Sequence, residues 1–125
     1  MRLRPQLHAL LLASVACGGS TGPGGSVVGV TIQDFSFSPA ALMVKVGTTV
    51  KWSNNGPSAH TATSNAGMWA SGQLSGPTSG GAYGGGSAGG TYQYTFTTAG
   101  TYAYHCSLHP PSTYQGFTGT ITVTP

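Results

Sequence analysis

The segment Cys106-Ser107-Leu108-His109 places a thiol and an imidazole three residues apart. Cys106 ends a predicted strand, so the loop that follows can bring His109 back over the sulfur, and both side chains can then reach one metal ion. A third donor has to come from elsewhere in the chain. His60 is a good candidate because it follows a predicted strand and a turn containing Pro57. The sequence therefore predicts a mononuclear metal site built from His60, Cys106 and His109.

The residue types limit which metals could bind here but do not identify a single one. A thiolate with two imidazoles in a trigonal arrangement is the ligand set of copper sites that transfer electrons, since soft sulfur suits Cu(I) and imidazole accepts either oxidation state. Zinc can use the same three residues with a water, and a buried cysteine can also be a small apolar core residue. A Cys–His nucleophilic dyad is a further alternative in principle. It lacks support because Asp34 is the only acid in the sequence, though Asn54, Asn55 or Asn65 could orient a base.

The charged residues argue against binding of nucleic acid. The 125-residue chain is long enough for one domain and has a net charge of +3, but two of its four basic residues, Arg2 and Arg4, lie in a segment that resembles an export signal. The remaining charged residues are Lys45, Lys51 and Asp34, and two bases minus one acid leave about +1. The domain thus has no cluster of basic residues and no arginine to contact phosphate or bases.

The N-terminus has the features of a signal peptide. Two arginines precede the apolar run Leu7–Ala16, which is too short to span a bilayer. Small residues then lead to Cys17, as in a bacterial lipoprotein signal, although Ser14 departs from that pattern and an ordinary signal peptide cut nearby is the alternative. We expect a signal peptide over residues 1–17 ending at a lipidated Cys17, and a flexible Gly/Ser linker over residues 18–26. The domain would then lie in the periplasm or on the extracellular face, with the lipid as its membrane anchor.

The donors must be positioned by strands, because apolar and polar side chains alternate from Val27 onward. Phe35 and Phe37 are expected to continue the first strand as far as Ser38-Pro39, which breaks it. Further runs end at turn signals, and Phe117 is expected to open the last strand. Several short strands separated by turns predict an all-β sandwich or barrel over residues 27–125. Residues 76–90 are rich in glycine and are interpreted as a flexible surface insertion.

From Val27 to Pro125 the sequence resembles a plastocyanin-type cupredoxin, a blue (type 1) copper protein. Six segments carry the resemblance, in the order and spacing of the family apart from the Gly-rich insertion: DFSFSP (34–39), VGTTVKWSNN (46–55), SAHT (58–61), FTTAGTY (96–102), YHCSLHP (104–110) and GTITV (119–123). The resemblance implies a Greek-key β-sandwich of roughly seven to eight strands with copper at one end. It also implies that His60, Cys106 and His109 are the copper ligands.

The resemblance implies a function as well. The expected protein is a monomeric one-electron carrier rather than an enzyme, cycling Cu(I)/Cu(II) between exported redox proteins that donate and accept the electron. The alternative is an extracytoplasmic copper-binding protein that stores or delivers the metal without carrying electrons.

The fourth ligand is where the sequence departs from the family pattern. Cupredoxins usually place a weak axial methionine two residues before the glycine of the last strand, and here that position holds Phe117. Either Phe117 leaves copper with three protein ligands, or Gln115 supplies its amide oxygen as an axial substitute. Phe117 is the favoured choice because it keeps the register with Gly119. An apolar axial side chain withholds a donor from Cu(II), which predicts a raised reduction potential.

Overall fold

The computed structural model describes residues 26–125, and the predicted signal peptide and all but the last residue of the predicted linker lie outside this range. None of the described residues is helical, so no helix in this part of the chain is long and apolar enough to cross a membrane. Eight strands form: β1 (Val27–Gln33), β2 (Ser36–Ser38), β3 (Ala41–Lys45), β4 (Thr49–Asn54), β5 (Thr63–Ser64), β6 (Thr91–Thr95), β7 (Gly100–His105) and β8 (Thr118–Thr124).

The strands are arranged in two four-stranded sheets. The first has the order β2-β1-β4-β6 and the second the order β3-β8-β7-β5. β1 runs parallel to β4 and β3 runs parallel to β8, whereas the other neighbouring pairs are antiparallel. The predicted all-β sandwich of seven to eight strands is therefore confirmed.

Buried side chains from both sheets form one core, as the alternation of apolar residues predicts. Trp52 of β4 and Tyr104 of β7 are both 0% exposed, and their rings meet edge to face at 5.4 Å between centroids. Trp69 joins them from a segment outside the strands and stacks on Trp52 at 5.6 Å. The other buried apolar residues of the alternating runs are Val30, Ile32, Phe37, Val44, Val50, Phe96, Cys106, Phe117, Ile121 and Val123.

The first strand is shorter than predicted. β1 ends at Gln33, and residues 34–35 form a turn that reverses the chain, so that Gln33 pairs with Ser36 across an antiparallel hairpin. Phe35 adopts a φ of 74°, which is uncommon for an aromatic residue, and it is 40% exposed. The prediction that Phe35 and Phe37 continue one strand was wrong, because the alternation of the two phenylalanines persists by chance through a two-residue turn.

The Gly-rich segment 76–90 was interpreted as a flexible insertion. It forms a narrow loop in which the backbones of Thr78 and Ser87 exchange hydrogen bonds of 2.9 and 3.0 Å, and Gly84 N donates to Gly81 O at 2.9 Å. The loop therefore has local backbone pairing, while its flexibility in solution stays a prediction.

Replacement of Gly119 by alanine is expected to lower the free energy of unfolding. Gly119 pairs with Tyr104 across β7 and β8, and a Cβ at position 119 would overlap the Tyr104 ring. That ring is fully buried against Trp52 and Phe37 and has no room to retreat. Overpacking of this kind costs about 1–3 kcal/mol or more, which a denaturant titration of the metal-free protein would measure.

Gly29→Ala is the matched control. Gly29 also lies in a strand, but a Cβ there would have nothing within 4 Å. Alanine at position 29 should therefore leave the stability unchanged or slightly raised. Equal effects of the two substitutions would contradict the role assigned to the contact between Tyr104 and Gly119.

Candidate metal centre

The three candidate ligands come from two loops that meet at one end of the sandwich. His60 follows β4 of the first sheet, whereas Cys106 directly follows β7 of the second sheet and His109 lies in the loop that leads to β8. The backbone of His60 is held by a pair of hydrogen bonds with Leu74, of 3.0 Å and 2.8 Å. The structure thus brings together the three residues that the sequence predicts as a metal site.

The distances between the donor atoms suit a single metal ion. His60 Nδ1 is 3.2 Å from His109 Nδ1, and Cys106 Sγ is 3.9 Å from the first nitrogen and 3.6 Å from the second. A point equidistant from these three atoms lies about 2.1 Å from each, within the range of about 2.0–2.3 Å for metal bonds to nitrogen and sulfur. His60 and Cys106 are 0% exposed and His109 is partly exposed, so among the three candidate ligands His109 is the one that solvent contacts.

Thr61 ties the two ligand loops together. Its backbone N–H points at Cys106 Sγ at 3.3 Å, and its hydroxyl accepts a hydrogen bond of 2.8 Å from the backbone N–H of Ser107. The two contacts therefore fix the direction of the Cys106 sulfur and hold its loop against the loop of His60.

Asn54 holds the loop that carries His60. Its side-chain amide is fully buried and donates to Ser58 O at 2.8 Å and to Leu74 O at 2.9 Å, while its oxygen accepts from Gly56 N at 3.0 Å. The sequence offers Asn54 as a residue that could orient a base. Its side chain instead hydrogen-bonds only to backbone groups, so Asn54 fixes the backbone on either side of His60 and makes no hydrogen bond to the imidazole ring.

Asp34 is a site residue that the sequence analysis did not assign. Its Oδ1 is 2.8 Å from His60 Nε2, and Ser58 donates its backbone N–H to Oδ1 at 3.2 Å and its hydroxyl to Oδ2 at 2.9 Å. The hydrogen bond with His60 lowers the pKa of Asp34 below its ordinary value of 3.8, with help from Ser58 and against the opposing effect of desolvation. Two features of the sequence could have pointed to Asp34 as a site residue: it lies in the DFSFSP segment, and it is the only acid in the chain.

Asp34, His60 and Cys106 follow one another in the order of an acid, a base and a nucleophile. This is the arrangement that a Cys–His dyad would need. Cys106 is nevertheless 0% exposed, and its sulfur contacts the rings of both histidines. A thiol with no exposed surface cannot attack a substrate, so the geometry disfavours the nucleophile hypothesis.

Aromatic rings surround the histidines. Phe117 is 0% exposed and lies edge-on to His60, with 5.0 Å between ring centroids, while Phe35 and Tyr114 contact His109 at 5.1 Å and 4.9 Å. The side chain of Gln115 is exposed. Of the two residues considered for the axial position, Phe117 is thus the one packed against a candidate ligand.

His105, adjacent to Cys106, takes no part in this cluster. Its Nδ1 is hydrogen-bonded to the side chain of Asn65, beside a shallow groove that Pro110 and Pro111 also line. This agrees with the strand alternation, which directs neighbouring side chains to opposite faces.

A family of known proteins matches nearly all of the described domain. The model for copper-binding proteins of the plastocyanin/azurin family covers residues 25–124. The chain belongs to this family. It is therefore a cupredoxin with a copper cofactor, and the three clustered side chains have the donor types that copper needs.

Individual proteins support the same assignment for this cupredoxin. Amicyanin from Paracoccus denitrificans is 37% identical over 86 residues, which are 69% of this chain and 60% of that protein. The structure of a purple cupredoxin from Nitrosopumilus maritimus matches with a TM-score of 0.58 and 25% identity, over 77% of this chain and 98% of the other. A copper-containing nitrite reductase from Thermus scotoductus matches with a TM-score of 0.61 and 26% identity. That match covers 86% of this chain but only 24% of the reductase.

Proposed function

We propose that this cupredoxin is a one-electron carrier with a type 1 copper site, in which His60, Cys106 and His109 are the protein ligands. The observation that carries the proposal is the convergence of one sulfur and two nitrogens on a point about 2.1 Å from each. Copper bound there would supply a one-electron couple between Cu(I) and Cu(II). The similarity to the copper-containing nitrite reductase extends over only 24% of that enzyme, so it gives no reason to assign catalysis to this chain.

The surroundings of the donors suit electron transfer because they restrict movement. Asp34 holds His60 from its outer nitrogen, Thr61 holds Cys106, and Phe35 and Tyr114 pack against the His109 ring. These contacts hold the donors in place, so a change of oxidation state would require little rearrangement of the protein.

The partly exposed His109 ring is the proposed point at which the electron enters and leaves. The surface beside it is apolar: Leu108 is 46% exposed and Phe35 is 40% exposed, and Pro110 and Tyr114 lie in the same region of the chain. Partners that dock here would be exported redox proteins held by apolar contact, because the domain has few charges to steer them.

A rate measurement tests this proposal on the copper-loaded full chain. Electron self-exchange, followed by NMR line broadening in mixtures of the Cu(I) and Cu(II) forms, should be fast and reversible. Its rate should change less than about twofold between low salt and about 0.5 M salt, because steering between molecules of net charge near +1 is weak.

The same sample distinguishes the alternative function. Slow self-exchange together with ready loss of copper to a soluble chelator would indicate a protein that stores or delivers copper. A steep fall of the exchange rate with added salt would contradict docking through the apolar surface.

A further inference from the structure

Asp34 lies at the protein surface, and hydrogen bonds hold its carboxylate against the site. Both of its oxygens accept hydrogen bonds, from Ser58 and His60, and its side chain is only 27% exposed. A Cβ on Gly56 would come within 2.6 Å of Asp34 Oδ1, so the glycine allows the loop that carries His60 to close over the carboxylate. The contact between Asp34 and His60 is thus held from both sides.

The carboxylate determines which nitrogen of His60 carries the proton. A carboxylate can only accept, so the hydrogen atom in the 2.8 Å contact must be on His60 Nε2. The neutral ring then has its lone pair on Nδ1. Nδ1 is the atom that faces Cys106 Sγ and His109 Nδ1. Asp34 therefore selects the tautomer that can bind a metal ion at the converging point.

The charge of Asp34 also distinguishes the two oxidation states. The thiolate of Cys106 and the carboxylate of Asp34 carry two negative charges, which balance Cu(II) but exceed the charge of Cu(I) by one. Cys106 has no exposed surface, so solvent screens the thiolate charge poorly, whereas the Asp34 side chain is 27% exposed and its charge is screened in part. No other acid is present in the chain to share the role.

We propose that Asp34 is a positioning residue of the copper site: its carboxylate fixes the tautomer of His60 that presents Nδ1 to the metal, and its charge favours Cu(II) over Cu(I). This inference rests on the proposed ligand role of His60. Asp34 and Phe117 then have opposite effects on the reduction potential. The Asp34 charge lowers the potential by favouring Cu(II), whereas Phe117 raises it because an apolar side chain gives Cu(II) no axial donor.

Asp34→Asn isolates the charge. Asparagine can keep Oδ1 toward His60 and the N–H of Ser58 and can turn its amide N–H to the Ser58 hydroxyl, so the three hydrogen bonds persist. We expect the ratio of Cu(II) to Cu(I) affinity to fall about tenfold, which is a rise of about 59 mV in the one-electron potential measured by voltammetry. Asp34→Ala also removes the hydrogen bonds and should weaken copper binding by roughly 10–100-fold in a competition titration.

Lys45→Gln is the matched control for net charge. Lys45 pairs with Thr124 at the end of β8 that lies about 20 Å from Thr118, where the strand begins beside the site. Lys45→Gln lowers the net charge by one unit, whereas Asp34→Asn raises it by one, and the Lys45 variant should leave the potential nearly unchanged. A fall of the potential in Lys45→Gln as large as the rise in Asp34→Asn, or an unchanged or lowered potential in Asp34→Asn, would overturn the role of the carboxylate charge.

The tautomer is tested on the unaltered protein, so the test does not depend on the folding of a variant. NMR of the diamagnetic Cu(I) form with nitrogen-15 labelling should show the His60 proton on Nε2; a proton on Nδ1 would overturn the inference. Absence of the intense visible band in the folded Cu(II) protein would instead refute the proposed copper site itself. The two failures are therefore distinguishable.

Discussion

Replacement of Cys106 by serine is expected to abolish the visible absorption of the Cu(II) protein. The intense visible band of a type 1 site is a charge-transfer transition from the thiolate to copper. A serine hydroxyl at the same position has no charge-transfer transition of comparably low energy. Cys106 Sγ also forms two of the three edges of the donor triangle. Copper affinity should fall by more than the roughly 10–100-fold that loss of an outer-shell partner causes. Titration of the full chain with Cu(II), followed by absorption spectroscopy, measures both effects.

Serine is close in size to cysteine, so the variant should fold, and circular dichroism would verify this. Ser112→Ala is the control, because Ser112 is an exposed residue in the loop between His109 and β8. Its band should match that of the unaltered protein. A band that survives in the Cys106 variant, or a folded wild-type protein that shows no band, would refute the blue-copper assignment.

Replacement of Phe117 by methionine is expected to lower the reduction potential. Phe117 occupies the position of the usual axial ligand and is buried, with its ring 5.0 Å from that of His60 and 4.8 Å from that of Phe37. Methionine is flexible enough to fill the same space, and its thioether would offer Cu(II) a weak fourth donor. We expect a fall of about 60 mV or more, which corresponds to a tenfold change in the equilibrium constant for one electron.

Two variants separate the donor effect from loss of the ring. Phe117→Leu removes the ring without adding a donor, so its potential should stay near that of the unaltered protein. Gln115→Ala should also have no effect, because the Gln115 side chain is exposed. A rise of the potential in the Gln115 variant would show that the glutamine amide is the axial ligand after all.

Most of the fold and the three candidate ligands could be predicted from local patterns. Alternation of apolar residues identifies strands because one face of each strand is buried, and Val50 with Trp52 or Ile121 with Val123 are buried as expected. Cys106 and His109 are close in sequence, and the strand ends limit where His60 can lie. The resemblance to cupredoxins added the Greek-key arrangement and supported the choice of His60 as the third ligand.

The contacts that were missed join distant parts of the chain. Asp34 and His60 are 26 residues apart, and nothing in the spacing of either indicates that the turn after β1 packs on the loop after β4. That turn was itself hidden, because Phe35 fits the alternation although it does not belong to a strand. Trp69 was unpredictable for a related reason: a residue in an irregular segment has no periodicity to reveal that it is 4% exposed.

The position of β8 has a consequence for the order in which the protein matures. β8 lies between β3 and β7, so the second sheet has no link between these strands until Thr118–Thr124 has been synthesised. The loop with Cys106 and His109 is closed by β7 on one side and by β8 on the other. A nascent chain that lacks β8 would therefore have its donors unassembled. Binding of copper by all three donors is then expected only after β8 has paired with β3 and β7.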